Sequence, residues 1–246
     1  ITVRNNYTII NVYEKQTLNS KVVTQLIYGD SFKKLKKIGK WIKIKNYLDG
    51  YQGFVKEKKF MKEQKNSHKV SSISAELYLK PNKRYKIKKK LSYGSKIKII
   101  QKQNGFYKFD NLWVKKKDLN EITYNTKDVF IDIRKFINIK YKWGGKNYKG
   151  IDCSALVQLM MNFNNRYCPR DTKDQVKYFK KNIRLENIKK NDLIFWKGHV
   201  AIAISSKKLI HAYGPIKKVV IMPIDKTIDR IYKTANLKVS SVKRFT

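Results

Sequence analysis

The sequence predicts an α+β domain in its second half, preceded by two small all-β domains. Three observations support this prediction. A pattern of short alternating strands occurs twice in the first half, apolar residues recur at helical spacing after Cys153, and four strand-like apolar runs follow. Helices followed by an antiparallel meander are typical of the α+β class. We expect the domains to span residues 1–62, 63–122 and 123–246.

The first half contains a degenerate repeat. The segment Leu26–Asp30 recurs 65 residues later as Leu91–Ser95, and Trp41–Ile44 has a counterpart at the same offset. Gly53–Val55 recurs 59 residues later, so the second copy has the shorter distal loop. Short strands separated by Gly, Asn and Asp turns predict a small β-barrel in each copy. The polar stretch 62–72 is the expected linker.

The second half predicts helices and then strands. Apolar residues at helical spacing predict one helix from Val129 to Ile139. A second apolar stripe runs from Cys153 to Met161 at intervals of three and four, which predicts a buried helix. The last predicted elements are strands over residues 192–196, 199–204, 208–213 and 218–223.

The chain is strongly basic, with 57 Lys and Arg against 18 Asp and Glu and a net charge of +39. Such a charge attracts polyanions, including nucleic acid, anionic membranes and acidic wall polymers. The lysines are spread along the whole chain, and Lys, Asn, Ile, Tyr and Phe are all abundant, which is typical of an AT-rich genome. We therefore interpret the charge as codon bias and expect no specific nucleic-acid partner. A hydrophobic content of 41% excludes a disordered basic tail.

The sequence gives little indication of a membrane span, a signal peptide or a metal site. The longest apolar runs, such as Val200–Ile204, are far shorter than the roughly 20 residues of a membrane span. No signal-peptide pattern is visible, but the chain lacks an initiator Met and a leader could have been removed. The two cysteines, Cys153 and Cys168, are too few for a disulfide framework, and no Cys/His spacing fits a zinc site. We expect neither a metal nor an organic cofactor.

Cys153 is the candidate nucleophile. It follows a Gly-rich segment and begins the predicted buried helix, with Asp152 at the capping position. The unpaired N–H groups and the dipole of a helix N-terminus stabilise a thiolate and can hold an oxyanion. The alternative is a buried structural cysteine with a purely structural cap.

Two of the three histidines, His199 and His211, are candidates for activating the thiol. If their strands form a hairpin around residues 205–207, paired residue numbers sum to 410–412. The two rings are then opposite or one diagonal step apart on the same face, roughly 5 to 8 Å from each other. The neighbours on that face, Ala201 and Ala203, are small enough to leave room for the helix N-terminus. This pattern favours His199 as the base and His211 as its orienting partner.

These motifs resemble the NlpC-type cysteine peptidases, papain-like enzymes that cut bacterial murein peptides. The resemblance rests on six segments in the family's order: Tyr141-x-Trp143-Gly144-Gly145, Asp152-Cys153-Ser154, Pro169-Arg170-Asp171-Thr172, Asp192-Leu193-Ile194-Phe195, Gly198-His199-Val200 and Ile210-His211-Ala212. The two copies in the first half resemble bacterial SH3-like domains. Together they imply a papain-like α+β catalytic domain after two SH3-like barrels, as in γ-D-glutamyl-L-diamino acid endopeptidases.

The resemblance also implies a pocket for a free N-terminal L-Ala. Its residues are, in this sequence, Tyr51, Tyr141, Asp152, Ser154 and Thr172, with Glu14 as the nearest candidate for a glutamate of the first SH3-like domain. Thr172 stands where the family usually has Ser, which keeps the hydroxyl. Acidic groups of the substrate need donors, and we expect Arg170 or the surrounding lysines to supply them.

We therefore expect a monomeric cysteine endopeptidase that hydrolyses the γ-D-glutamyl–diamino acid bond of murein peptides. A preference for free peptides favours recycling in the cytoplasm slightly over a role in the cell envelope. Two alternatives are open. The chain could be a catalytically silent module that binds cell wall or polyanions, or an acyltransferase or amidase that acts on another γ-glutamyl substrate.

Overall fold

The computed structural model describes residues 1–245, which form two compact units. The first unit comprises Ile1–Tyr124 together with Lys146–Tyr148, and the second comprises Asn125–Gly145 and the chain from Lys149 onward. The division of the first unit into domains 1–62 and 63–122 stays a prediction. Among the described residues, no helix is long and apolar enough to cross a membrane.

The first unit is built mainly from short antiparallel strands. These are β1 (Thr2–Arg4), β2 (Ile9–Tyr13), β3 (Val22–Ile27), β4 (Ser31–Ile38), β5 (Trp41–Asn46), β6 (Gln52–Lys56), β7 (Met61–Lys62), β8 (His68–Val70), β9 (Ser74–Tyr78), β10 (Lys86–Ser92), β11 (Lys96–Ile97), β12 (Gln101–Gln103), β13 (Phe106–Phe109), β14 (Leu112–Lys115), β15 (Leu119–Glu121) and β16 (Lys146–Asn147). They form a seven-stranded sheet of order β3-β2-β6-β5-β4-β1-β7, a five-stranded sheet of order β10-β9-β14-β13-β12 and a three-stranded sheet of order β11-β8-β15.

The strand orders confirm the internal repeat. The series β3-β2-β6-β5-β4 and β10-β9-β14-β13-β12 match element by element, and β5 and β13 begin 65 residues apart at Trp41 and Phe106. The repeated Tyr-Gly pair places Gly29 and Gly94 at φ angles of 84° and 80°. This left-handed conformation is one that glycine adopts without steric cost. Their assignment as SH3-like barrels stays a prediction.

The linker predicted over residues 62–72 is wrong in part. It contains β8, which pairs with β11 and with β15. Lys69, in the middle of β8, is buried, and its ammonium group donates to the carbonyl oxygens of Ile122 (3.1 Å) and Tyr124 (2.5 Å). Burial lowers the pKa of Lys69 to about 8. From the sequence alone, a buried lysine that donates to carbonyl groups cannot be distinguished from a lysine on the surface.

The short segment Lys146–Tyr148 belongs to the first unit. The Lys146 ammonium group lies 3.1 Å from Asp30 Oδ2, and both side chains are buried. Gln25 Oε1 accepts hydrogen bonds from the Lys146 backbone N–H (2.9 Å) and from Asn147 Nδ2 (2.5 Å). Buried polar contacts therefore fix this segment.

The second unit has the predicted α+β composition. Its elements are β17 (Gly150–Ile151), α1 (Cys153–Phe163), α2 (Thr172–Tyr178), β18 (Lys181–Ile183), β19 (Leu193–Trp196), β20 (His199–Ala203), β21 (Lys208–Tyr213), β22 (Lys218–Pro223), α3 (Ile224–Ala235) and β23 (Ser241–Arg244). The last strands form an antiparallel six-stranded sheet of order β18-β23-β19-β20-β21-β22. The four predicted strands are confirmed within one residue at each end. The buried helix begins at Cys153 as predicted and extends two residues past Met161, to Phe163.

The helix predicted from Val129 to Ile139 is wrong. This stretch forms turns around one 3₁₀ segment, Ile133–Phe136. The Asp128 side chain accepts the Phe130 N–H, and Asn138 adopts a left-handed φ of 68° that no α-helix contains. Val129, Ile133 and Phe136 are nevertheless buried, so the apolar spacing identified the buried side chains but not the backbone conformation.

The C-terminal helix α3 was not predicted, although Ile224, Thr227 and Ile231 give it a buried face. Ile224 and Ile231 belong to the same apolar cluster as Ala201 and Ala203 of β20. The expectation that these alanines leave room for the helix at Cys153 is therefore wrong. Their small side chains pack in the cluster that contains α3.

Candidate active site

Cys153 is the first residue of α1, and the local sequence explains why the helix begins there. Asp152 adopts an extended N-cap conformation, and its Oδ1 accepts the Ala155 N–H at 2.8 Å. The thiol is buried and lies beside the start of β20, because it accepts hydrogen bonds from the backbone N–H groups of Val200 and Ser154. The Cys153 thiol is thus held between a helix N-terminus and the residue that follows His199.

The environment of the thiol favours its protonated form. Burial raises the pKa of Cys153 to about 11, and the charge of Asp152 acts in the same direction. The Val200 and Ser154 N–H groups and the Arg170 charge oppose this rise but do not cancel it. In the substrate-free protein, burial therefore outweighs the thiolate stabilisation that we expected from the helix N-terminus.

His199 and His211 form a hydrogen-bonded pair on neighbouring strands. Ile202 pairs with Ile210 and Ala203 with Leu209, so paired numbers sum to 412 and the histidines lie one diagonal step apart. Nε2 of His199 is 2.8 Å from Nδ1 of His211, and the ring centroids are 5.1 Å apart. The register selects the diagonal arrangement from the two that the sequence left open.

Both histidines are neutral at pH 7. Burial lowers the pKa of His199 to about 4. Burial also lowers the pKa of His211 well below its usual value, and the neighbouring His199 lowers it further. Cys153 is therefore a thiol and both imidazoles are neutral at this pH.

Two residues that contact His211 were missed in the sequence. Tyr213 stacks on the His211 ring with a centroid distance of 4.6 Å and an interplanar angle of 10°. Met222 Sδ lies 3.4 Å from His211 Nε2. Tyr213 could have been found from the pattern, because it is two residues further along the same strand. Met222 could not, because its position depends on the β21–β22 register, which pairs it with Leu209.

Asp152 and Arg170 form a buried ion pair beside the nucleophile. Arg170 Nη1 donates to Asp152 Oδ1 at 3.0 Å and Nη2 donates to Oδ2 at 2.6 Å. Nη1 also donates to Ser154 Oγ at 2.9 Å. The guanidinium group is buried and directed at these partners, and binding of an acidic substrate group by Arg170 stays a prediction.

The Asp152 carboxylate is densely coordinated. Besides Arg170 and the Ala155 N–H, it accepts the Gly144 N–H on Oδ2 (2.9 Å) and the Ser154 hydroxyl on Oδ1 (3.2 Å). An ionised carboxylate offers about four lone-pair sites. Asp152 therefore holds together the residues around Cys153 through the hydrogen bonds that it accepts.

Tyr141 lies close to the nucleophile. Burial raises its pKa above the usual range, and the charges of Cys153 and Asp152 act in the same direction. The Tyr141 ring packs beside Gly214, where a Cβ would lie at an ordinary van der Waals distance of 3.5 Å. Thr172 is the buried first residue of α2. The structure thus places Tyr141, Asp152, Ser154 and Thr172 in the second unit, and their substrate contacts stay predictions.

Tyr51 and Glu14 belong to the first unit. Tyr51 directly precedes β6, is half-buried and donates its backbone N–H to Asp49 Oδ1 at 3.0 Å. Glu14 follows β2 and is exposed. Their contribution to a substrate pocket stays a prediction. Across residues 1–245, no group of three His, Cys, Asp or Glu side chains is arranged to hold a metal ion.

Comparison with known proteins places the second unit in a family. Residues 138–237 match the NlpC/P60 family. Dipeptidyl-peptidase 6 of Lysinibacillus sphaericus is 35% identical over 77 residues, which cover 31% of this chain and 28% of the relative. A probable endopeptidase of Haemophilus influenzae is 40% identical over 81 residues, which cover 29% of this chain and 49% of the relative. The matches thus span less than half the length of either relative.

A solved structure shows the same fold. An NlpC/P60 family protein from Bacillus cereus matches with a TM-score of 0.82 and 19% sequence identity, covering 100% of this chain and 99% of that chain. The six sequence segments around Cys153 and the histidines fall within or next to the matched residues. Residues 138–237 of the second unit thus match the NlpC/P60 family, and the solved structure shares the fold.

Proposed function

We propose that the protein is a cysteine endopeptidase that hydrolyses the γ-D-glutamyl–diamino acid bond of murein peptides with a free N-terminal L-Ala. The observation that supports this most directly is the arrangement at α1 and β20. A buried thiol at a helix N-terminus accepts the N–H of Val200, and the adjacent His199 is hydrogen-bonded to His211 at 2.8 Å. These are the parts that nucleophilic catalysis by cysteine requires.

The proposed reaction proceeds through a thioester. Cys153 Sγ attacks the γ-carbonyl carbon of D-Glu while its proton passes to His199, and the carbonyl oxygen becomes an oxyanion. The Cys153 N–H, at the first helical position, has no acceptor within the helix and is available to hold this oxyanion. His199 then gives the proton to the departing amine, and the C–N bond breaks. Water, deprotonated by His199, releases the acyl group and restores the thiol.

The requirement for a free amine rests on the family resemblance. Tyr141 supports it, because its hydroxyl is a potential acceptor close to Cys153. Asp152 supports it less, since Arg170 neutralises its charge and its lone pairs already have donors within the protein. We therefore expect Tyr141 to contribute more to amine recognition than Asp152 does.

The test is mass spectrometry of the products after incubation with L-Ala-γ-D-Glu-diaminopimelate. We expect release of L-Ala-D-Glu, no cleavage of the N-acetylated peptide, and no reaction with Cys153→Ala. Cys168→Ala is the matched control, because Cys168 is also buried but, unlike Cys153, does not begin α1. Cleavage of both peptides would support the assignment as a peptidase and refute the requirement for a free N-terminal amine.

The two alternatives predict different results. A catalytically silent module would bind anionic wall polymer in a salt-dependent manner, in keeping with the +39 charge, and would cleave neither peptide. An acyltransferase would transfer the γ-glutamyl group to an added amine in preference to water. Product analysis with and without an added amine separates these activities from the proposed hydrolysis.

A further inference from the structure

His211 is held on both ring nitrogens and on its ring face. Its Nδ1 lies 2.8 Å from His199 Nε2, its Nε2 lies 3.4 Å from Met222 Sδ, and Tyr213 stacks on the ring at 4.6 Å. In a neutral imidazole one nitrogen carries the proton and the other accepts, and the partners of each nitrogen determine which is which. The neighbours of His211 therefore determine where its proton is placed.

Two arrangements of the protons are possible for a neutral pair. In the first, His199 Nε2–H donates to His211 Nδ1, and His211 carries its own proton on Nε2. In the second, His211 Nδ1–H donates to His199 Nε2, and His211 Nε2 has only a lone pair. The second arrangement also places the remaining proton of His199 on Nδ1, so that His199 cannot accept a proton from the thiol there.

Met222 discriminates between these arrangements because a thioether sulfur accepts hydrogen bonds but has no proton to donate. In the first arrangement, the His211 Nε2–H points at the sulfur 3.4 Å away. This distance is within the range of hydrogen bonds to sulfur, which are weak but directional. In the second arrangement, two lone pairs face each other in a buried site, and a buried acceptor is left without a donor.

We propose that Met222 is a positioning residue that holds the proton of His211 on Nε2 and thereby leaves Nδ1 of His199 free to receive the thiol proton. Only the last part rests on the proposed function, because the proton positions are a property of the pair itself.

The proton positions can be measured by ¹⁵N-resolved NMR of the imidazoles. The chain has three histidines, and His68→Gln identifies the signal that does not belong to the pair. We expect Nε2–H tautomers for both His199 and His211 in the wild-type protein. A proton on Nδ1 of His211 in the wild type would overturn the proposal, whether or not the protein cleaves murein peptides.

Substitutions at position 222 test the role of the sulfur. Met222→Leu keeps the volume but removes the acceptor, and we expect the Nδ1–H tautomer of His211 to appear and kcat to fall about 10-fold with little change in KM. Met222→Gln supplies an amide oxygen and should restore both. Ile221→Leu, one residue earlier in β22, is the matched control for repacking. Unchanged tautomers and unchanged kcat in Met222→Leu would refute the proposal.

Discussion

Replacing Arg170 by Met removes the partner of a buried carboxylate without leaving a large cavity. Asp152 would lose two charge-assisted hydrogen bonds, at 3.0 and 2.6 Å, and Ser154 would lose the donor at 2.9 Å. The Arg170 and Asp152 side chains are only 1% and 10% exposed, so water does not replace the lost partner. Breaking a buried ion pair by removing one member costs about 3–5 kcal/mol. We expect a destabilisation of this size.

Urea unfolding followed by circular dichroism measures the change in the free energy of unfolding. Arg184→Met is the matched control, because the side chains of Arg184 and its partner Glu186 are 79% and 68% exposed. Arg184 Nε lies 3.4 Å from Glu186 Oε1. An exposed pair of this kind contributes about 0–1 kcal/mol. Adding Asp152→Asn to Arg170→Met should recover part of the loss, since the buried charge disappears while an Asn still caps the helix.

The reasoning would be refuted if Arg170→Met lost less than about 1 kcal/mol, as the exposed control should. It would also be refuted if the double variant were less stable than Arg170→Met alone. Activity supplies a second readout. The Arg170 charge lowers the pKa of Cys153, so its removal raises that pKa further and should slow thiol attack.

Three further predictions concern titration and catalysis. Burial lowers the pKa of His199 from 6.5 to about 4, so its contribution to stability is present above pH 6.5 and is lost as the pH falls through 4. The loss is on the order of 3 kcal/mol. Urea unfolding between pH 7 and 4 should show that the free energy of unfolding depends less on pH in His199→Gln than in the wild type. The pKa of Cys153, raised to about 11, predicts that its alkylation by iodoacetamide in a Cys168→Ala background rises about 10-fold per pH unit from pH 7 to 10; a plateau near pH 7 would instead indicate a resting thiolate–imidazolium pair. Finally, His211→Ala should lower kcat about 100-fold, whereas His211→Asn should retain part of the activity. Steady-state kinetics measures both variants, and equal losses of kcat would contradict an orienting role of His211.

Local patterns were sufficient to predict the elements that carry Cys153, His199 and His211. Asp152 is a strong N-cap residue, and the apolar stripe after Cys153 has a single interpretation, so α1 was predicted at the correct position. The hairpin that carries His199 and His211 has a short turn and alternating apolar residues, which restricted its register to two possibilities. Given that hairpin, the two-residue period of the strands placed both histidines on one face.

The remaining features depend on contacts that sequence spacing does not encode. Arg170 is 18 residues from Asp152, and a lone arginine in a basic chain gives no indication that it is buried. The stretch at residues 129–139 has helical spacing, but Asp128 and Asn138 impose turns on it. The acceptor role of Met222 emerges only when β21 and β22 are aligned.

The central proposal is that Cys153 forms a thioester with the γ-glutamyl group of a murein peptide. Rapid acid quenching of the Cys168→Ala protein with L-Ala-γ-D-Glu-diaminopimelate, followed by intact-protein mass spectrometry and peptide mapping, tests it directly. We predict a protein species heavier by one L-Ala-D-Glu acyl group, with the adduct on Cys153 and a rate of formation at least equal to kcat. Product release without any adduct on Cys153, or an undiminished rate in Cys153→Ala, would contradict the proposed mechanism.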